Sequence, residues 1–379
     1  MNARGPGARG AAGRAPAHDD ELRSLLRRVC EVPAPTFAEE ARATLVARLL
    51  REATLEVRRD AAGNVLAWLP GGAGPRVALA AHLDTVFAAD VPVEVRTEGD
   101  RWLAPGIGDD AAGVAVLLHL ARELARGGAS ARPRLLLAFT VGEEGEGDLR
   151  GAREVVRAHR DELDVFVAVD GHLGSVVDTG VGSRRYRATF TGPGGHAWGD
   201  YPAPSAVHAA GDAVHALTRI HVPEAPRSSL NVGQLGGGTA VNAIAERAWL
   251  TLDLRSVDAA GLDVLTEEAE RRLRSVARRH RVQLSLARIG DRPPGRSDDG
   301  TLRDAARAAL RSLDLEPSVG ASSTDANAAM AEGLPAVCIG VYRGGDAHRL
   351  GEWLDPASLD QGAAMLRAFL AELAARWRA

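Results

Sequence analysis

The chain has 379 residues, of which 45% are apolar and 25% charged, the balance of a soluble globular protein with room for roughly two or three domains. Its 46 basic and 50 acidic residues leave a net charge of −4, which argues against nucleic acid or a membrane surface as partner. Every basic residue is arginine, so a Schiff-base lysine, a phosphate-loop lysine and a Ser–Lys dyad are excluded. Cys30 and Cys338 each sit in an apolar stretch and read as buried small residues, not as a disulfide. Residues 1–17, rich in Arg, Gly, Ala and Pro without an apolar run, are expected to form a disordered tail and not a signal peptide. No uninterrupted apolar run is long enough for a membrane span. A cytoplasmic protein is the expectation.

From Asp19 to about Arg51 the spacing of Leu22, Leu25, Leu26 and Val29, then Ala38 to Leu50, predicts helices broken near Pro33 and Pro35. After Gly63, the runs NVLAWLP, RVALAAHLDTV, RLLLAFTVGEE and DVFVAVDG predict strands, and Asp110 to Gly127 a helix between two of them. Short apolar runs separated by helices predict an α/β layer with a buried, mostly parallel sheet. From about Gly182 the texture changes. RRYRATFT, SLNVGQLGG, ERAWLTLDLRS and RVQLSLARIG predict strands, with helices over Pro204 to Ile220 and Ala259 to His280. The order β-α-β-β-α-β is the split βαβ unit of a small α+β domain. Residues 18–181 and 291–379 are therefore expected to form one α/β domain, interrupted by a smaller domain over 182–290.

Acidic residues and histidines cluster where the predicted strands of the larger domain end. AAHLDTV ends in His82 and Asp84, LLLAFTVGEEGEG in Glu143 and Glu144, and VFVAVDG in Asp170. Asp109 lies in the Gly-rich turn before the helix, and His348 in the turn GGDAHRL after the late strand AVCIGVYR. Ligands of open α/β sheets bind beyond the carboxyl ends of the strands, so these groups should converge. Two imidazoles and three carboxylates without a thiolate suit a divalent ion such as Zn²⁺, or Co²⁺ or Mn²⁺. A carboxylate such as Asp109 could bridge two ions about 3.5 Å apart, with a water clamped between them. Asp84, two residues after His82 on a strand, is placed to hold the imidazole's other N–H. Of the adjacent Glu143 and Glu144, one can bind metal while the other takes a proton.

In content and order, HLD, GIGDDAAG, GEEGEGDLRGA, VAVDG and GGDAHRLGEWLD resemble the motifs of the M20 family of metallopeptidases and aminoacyl hydrolases. That family includes carboxypeptidase G, peptidase T-like tripeptidases and the acetylornithine and succinyl-diaminopimelate deacylases. The resemblance covers nearly the whole chain after the tail. It implies a dinuclear-metal catalytic domain with an inserted lid and dimerisation domain. It further implies His82 and Asp170 on one ion, Glu144 and His348 on the other, and Asp109 bridging both, often with a cis peptide to the next residue. Glu143 would be the general base, with Asp84 behind His82. GPGGHAWGDYP resembles the family's lid motif, whose histidine, here His196, reaches the scissile carbonyl from a neighbouring subunit. GGGTAVNAIAERAWLTLDLRS resembles substrate-binding segments and suggests Asn242 and Arg255. Ala111 stands where the family usually has lysine, and Ala245 where it often has proline. His172 and Asp325 stay unassigned.

The resemblance implies metal-assisted hydrolysis of an amide bond. Short peptides are the first substrate class, on the likeness of GEEGEGDLRGA and SSTDAN to peptidase T-like members. An N-acyl amino acid is the alternative, and a non-catalytic relative that serves as a binding protein is the remote one.

Overall fold

A computed structural model describes residues 18–72, 74–127, 133–297 and 300–377; the expected tail over 1–17 lies outside them. The strands Arg134–Thr140, Arg76–His82, Val165–Val169 and Ala336–Ile339 run parallel at the centre of the larger sheet. Antiparallel strands flank them: Val65–Leu69 and Val57–Arg59 on one side, Ser175–Gly180 and Gly295–Arg296 on the other. Ser318–Ser322 also pairs with Ser175–Gly180, in parallel.

The central strands read as continuous apolar runs because both faces are covered. Val77, Leu79, Leu135, Leu137, Val165 and Val167 pack under the helices His18–Cys30, Glu40–Glu52, Ala111–Arg126, Thr301–Arg311 and Ser358–Trp377. Their alternates Ala78, Ala80, Leu136, Ala138, Phe166 and Ala168 meet Arg150–His159 and Ala326–Ala331 on the opposite face. One glycine sets how closely a helix approaches this sheet. A Cβ on Gly113 would stand 2.2 Å from the Val169 carbonyl oxygen, so the helix that follows Asp109 can lie against the strand leading to Asp170.

A second, antiparallel sheet has the order Ser228–Gly237, Arg247–Ser256, Gly182–Thr191, Gln283–Arg292. Here burial alternates strictly along Arg247–Ser256, because one face packs on the helices Ala206–Thr218 and Ala259–His280 while the other is left open. A third small sheet joins Arg96–Glu98, Arg101–Leu103, Trp353–Asp355 and Arg343–Gly345. Three-residue strands such as RGG carry no periodic signal, and this sheet is absent from the sequence reading. Both cysteines are buried and unpaired. Among the described residues no helix is long and apolar enough to cross a membrane.

Candidate metal centre

The centre is built at the carboxyl ends of the parallel strands. Arg76–His82 ends in His82, Arg134–Thr140 leads within four residues to Glu143 and Glu144, and Val165–Val169 is followed directly by Asp170. Asp109 precedes the helix Ala111–Arg126, and its peptide bond to Asp110 is cis. The Asp110 carboxylate accepts the backbone N–H of His82 (3.0 Å) and of Gly113 (3.1 Å). It thereby ties the strand end to the first turn of that helix.

Asp109 meets both histidines. His82 Nε2 lies 2.9 Å from Asp109 Oδ1, and His348 Nε2 lies 3.0 Å from Asp109 Oδ2. His348 is also 3.0 Å from Glu144 Oε1. Ligand atoms of His82, Asp109 and Asp170 come within 4.8 Å of one another, as do those of Asp109, Glu144 and His348. Two clusters thus share one carboxylate. A third grouping, His82 with Glu143 and Glu144, adjoins them.

The charges are strongly coupled. Burial opposes charge on His82, yet hydrogen bonds to Asp109 and Asp84 hold its pKa well above the ordinary value. Hydrogen bonds to Asp109 and Glu144 raise His348 to about 10. Burial works against the Asp109 carboxylate, but His348 and His82 outweigh it and keep its pKa below the usual range. Burial, and then the negative charge of Asp109, push Asp170 up to about 7. Burial likewise raises Glu143 well above its ordinary value, with Arg292 pulling the other way. Oxygen and imidazole donors without a thiolate fit a divalent cation of the zinc, cobalt or manganese kind. The mutual repulsion of Asp109 and Asp170 is what such a cation would relieve.

The carboxylate of Asp84 has a job the sequence did not suggest. It accepts the backbone N–H groups of Glu143 and Glu144, both at 2.9 Å, and the Thr36 hydroxyl at 2.9 Å. His82 Nδ1 lies closer to the Asp84 carbonyl (3.0 Å) than to its carboxylate (3.6 Å). Glu143 and Glu144 diverge: Glu144 faces His348, while Glu143 Oε1 is 3.1 Å from Arg292 Nη1. Arg292, at the end of the second sheet, also bonds the Glu143 carbonyl and the Ser323 hydroxyl. It is almost fully buried. Glu352 was missed too. Its buried carboxylate accepts the backbone N–H groups of Gly106, Gly108 and Asp109 at 2.7–2.9 Å and shapes the turn that presents Asp109. The hairpin that carries Glu352 also carries His348, whose own backbone is left-handed at φ 65°.

A cavity of about 340 Å³ opens over these groups, lined by Asp109, Glu143, Glu144, Asp170 and His348 and by the arginines Arg185, Arg255 and Arg292. His172 lines it as well, 5.0 Å ring to ring from Tyr342. Asp325 lies buried behind, accepting the Thr140 hydroxyl, and burial raises it to about 6. His196 and Asn242 do not line this cavity. Both are exposed: His196 lies on a two-stranded ribbon and Asn242 just before its second strand, where Ala197 N–H donates to the Asn242 carbonyl (2.9 Å). His196 Nδ1 accepts the N–H groups of Trp198 and Gly199, each at 3.2 Å. With Nδ1 an acceptor, the neutral ring carries its proton on Nε2.

Carboxylate and imidazole clusters gathered at the strand ends of a mixed sheet form a site suited to divalent cations. The model of the family described as Peptidase family M20/M25/M40 matches residues 78–372, and the chain belongs to that family. It is 28% identical over 242 residues to the succinyl-diaminopimelate desuccinylase of Corynebacterium glutamicum, covering 61% of this chain and 65% of that enzyme. The match thus spans just under two thirds of that relative. A tripeptidase of Staphylococcus aureus shares the fold with a TM-score of 0.80 at 20% identity, over 94% of this chain and 99% of that one. A dinuclear-metal-binding M20 peptidase of Bacillus subtilis superposes with a TM-score of 0.69 at 20% identity, over 95% and 99% of the two chains.

Proposed function

We propose that this chain is a metal-dependent hydrolase that cleaves an amide bond in a short peptide. The observation that carries the reading is the shared carboxylate: Asp109 offers one oxygen to each imidazole. His82, Asp109 and Asp170 would hold one divalent ion and Asp109, Glu144 and His348 the other, zinc in the first instance, with cobalt or manganese as substitutes. When bound, such ions supply Lewis acidity and lower the pKa of water. Glu143, kept beside the centre by Arg292, takes the proton of the attacking water and hands it to the leaving amine. Asp84 holds the Glu143–Glu144 turn by its two amides. Arg255, in the cavity wall, binds a substrate carboxylate through its guanidinium fork.

His196 presents an N–H on Nε2 suited to the carbonyl oxygen as negative charge develops there. Because His196 and Asn242 stand off the cavity of their own chain, we assign both to the cavity of a second copy, with residues 182–290 as lid and dimer contact. Mixing inactive Glu143→Ala with inactive His196→Ala protein should then restore activity, because half-sites recombine. No recovery despite proven subunit exchange would end the shared-site idea.

Removal of an acyl group from an amino acid is the second reading, favoured by the desuccinylase relative. The test of both is a substrate screen. Zinc-loaded protein is offered free di- and tripeptides beside N-acetyl and N-succinyl amino acids, and products are read by mass spectrometry. Peptide cleavage that a chelator abolishes and zinc restores is the expected result. Release of acyl groups alone would replace the peptide substrate by the acyl amino acid, and no cleavage of either class would overturn the proposal.

A further inference from the structure

Beside the cavity of the metal centre lies a second one of about 230 Å³, lined among others by Arg227, Ser229, Arg255, Ser322 and Ser323. The two cavities share Arg255, Ser322 and Ser323, so they form adjoining parts of one cleft. The local backbone explains the grouping. Ser229 and Arg255 are paired residues on neighbouring antiparallel strands. Val257 N–H donates to the Arg227 carbonyl at 3.2 Å and continues that ladder by one step. Alternation by two places Arg227, Ser229 and Arg255 on one face of the sheet. Across the cleft, Ser322 and Ser323 come from the end of a strand of the larger sheet.

This end of the cleft has more positive than negative charge. The lining of the second cavity holds two arginines, Arg227 and Arg255, and no carboxylate; Asp253, paired with Arg255, balances one of them. Arg255 uses its Nε on Asp253 (2.8 Å); among the described residues its two terminal nitrogens have no hydrogen-bond partner, and Arg227 has no carboxylate within ion-pair distance. Guanidinium forks with serine hydroxyls around them are donors without acceptors of their own charge, the chemistry that recognises carboxylates. The cavity at the metal centre already holds Arg185 and the shared Arg255 for one substrate carboxylate. Arg227 stands only in the second.

We propose that the Arg227 cavity is the subsite for a second substrate carboxylate, so that the enzyme is selective for dicarboxylic substrates. This rests on the amide-hydrolase reading above. The second carboxylate belongs either to an acidic residue of a peptide or to a dicarboxylic acyl group, and matched substrates separate the two. The zinc-loaded full chain is assayed on Ala-Ala-Glu against Ala-Ala-Gln, and on N-succinylalanine against N-butyrylalanine. The acidic member of one pair should be preferred by at least about tenfold in kcat/KM. That preference should collapse toward unity in Arg227→Gln, with the loss in KM and not in kcat; the pair that shows it identifies the source of the carboxylate. Calorimetric binding of glutarate to wild-type and Arg227→Gln protein reads the subsite without turnover. Glutarate binding lost in Arg227→Gln, with neither pair hydrolysed, would sustain the subsite while removing the hydrolase reading. Acid preference that persists undiminished in Arg227→Gln, or equal rates on both members of each hydrolysed pair, would overturn the subsite.

Discussion

Glu143→Gln is expected to lower kcat by about 10²–10⁴-fold, the usual contribution of a general base, while the protein still takes up two ions. The amide is nearly isosteric and still offers Arg292 an oxygen at the position now 3.1 Å away. The backbone bond from Glu143 to Asp84 is untouched, so the turn should stay in place. Metal content has to be measured alongside kcat, because Glu143 also belongs to a possible ligand group with His82 and Glu144. If metal and activity disappear together, Glu143 is a ligand and another group must be the base. Glu144→Gln should behave differently, since Glu144 is the carboxylate facing His348; loss of metal is its expected effect. The pH profile offers a second reading of the same residue. Burial raises Glu143 against the pull of Arg292, and a base works only when unprotonated. With metal saturation held across the pH range, the acid limb of kcat/KM that reports this base should therefore disappear in the glutamine variant.

The parallel core could be read from sequence because strands buried on both faces leave uninterrupted apolar runs. Along Arg247–Ser256 burial alternates instead, because only one face of that sheet is covered. His82, Glu143, Glu144 and Asp170 were anticipated as neighbours because each stands at or just beyond the end of a parallel strand, and such ends lie on one edge of a sheet. Arg292 and Arg185 carried no comparable signal. In a chain whose every basic residue is arginine, one more arginine reads as surface, and only the approach of the end of Gln283–Arg292 to the Glu143–Glu144 turn buries Arg292 beside Glu143. Glu352 was hidden because its partners are the amides of Gly106, Gly108 and Asp109, about 245 residues away in the chain. Backbone donors leave no mark in a sequence. The carboxylate of Asp84 was legible as a neighbour of His82, but its hold on the Glu143–Glu144 amides depends on how the following turn folds back over it. Arg227 escaped notice because its meaning comes from Ser322 and Ser323 across the cleft.

Loading metal-free protein with zinc at pH 7 is expected to release about two protons per chain, because ligand imidazoles must be neutral. The sign follows from the ion pairs with Asp109. His82 lies well above its ordinary pKa and His348 at about 10, so both are charged at neutral pH before the metal enters. Asp170, at about 7, adds a fraction of a proton. Titration calorimetry in buffers of different ionisation enthalpy measures this directly, since the slope of observed heat against buffer enthalpy is the proton count. A slope near zero would mean that the imidazoles are not displaced from Asp109 by metal. Two protons released on binding two ions also make the overall two-ion binding constant fall by about 100-fold, or about tenfold per ion, for each pH unit of acidification. The metal-free protein should respond in the opposite sense. An imidazole whose pKa is raised by folding contributes stability that is full below its unfolded value and is lost as pH rises toward the folded one, here up to about 10 for His348. Acid should therefore strip the metal from the loaded protein while leaving the empty centre held together by its own imidazolium–carboxylate pairs. Asp109→Asn removes the carboxylate that both imidazoles meet and should weaken both behaviours, with Glu144 still holding His348.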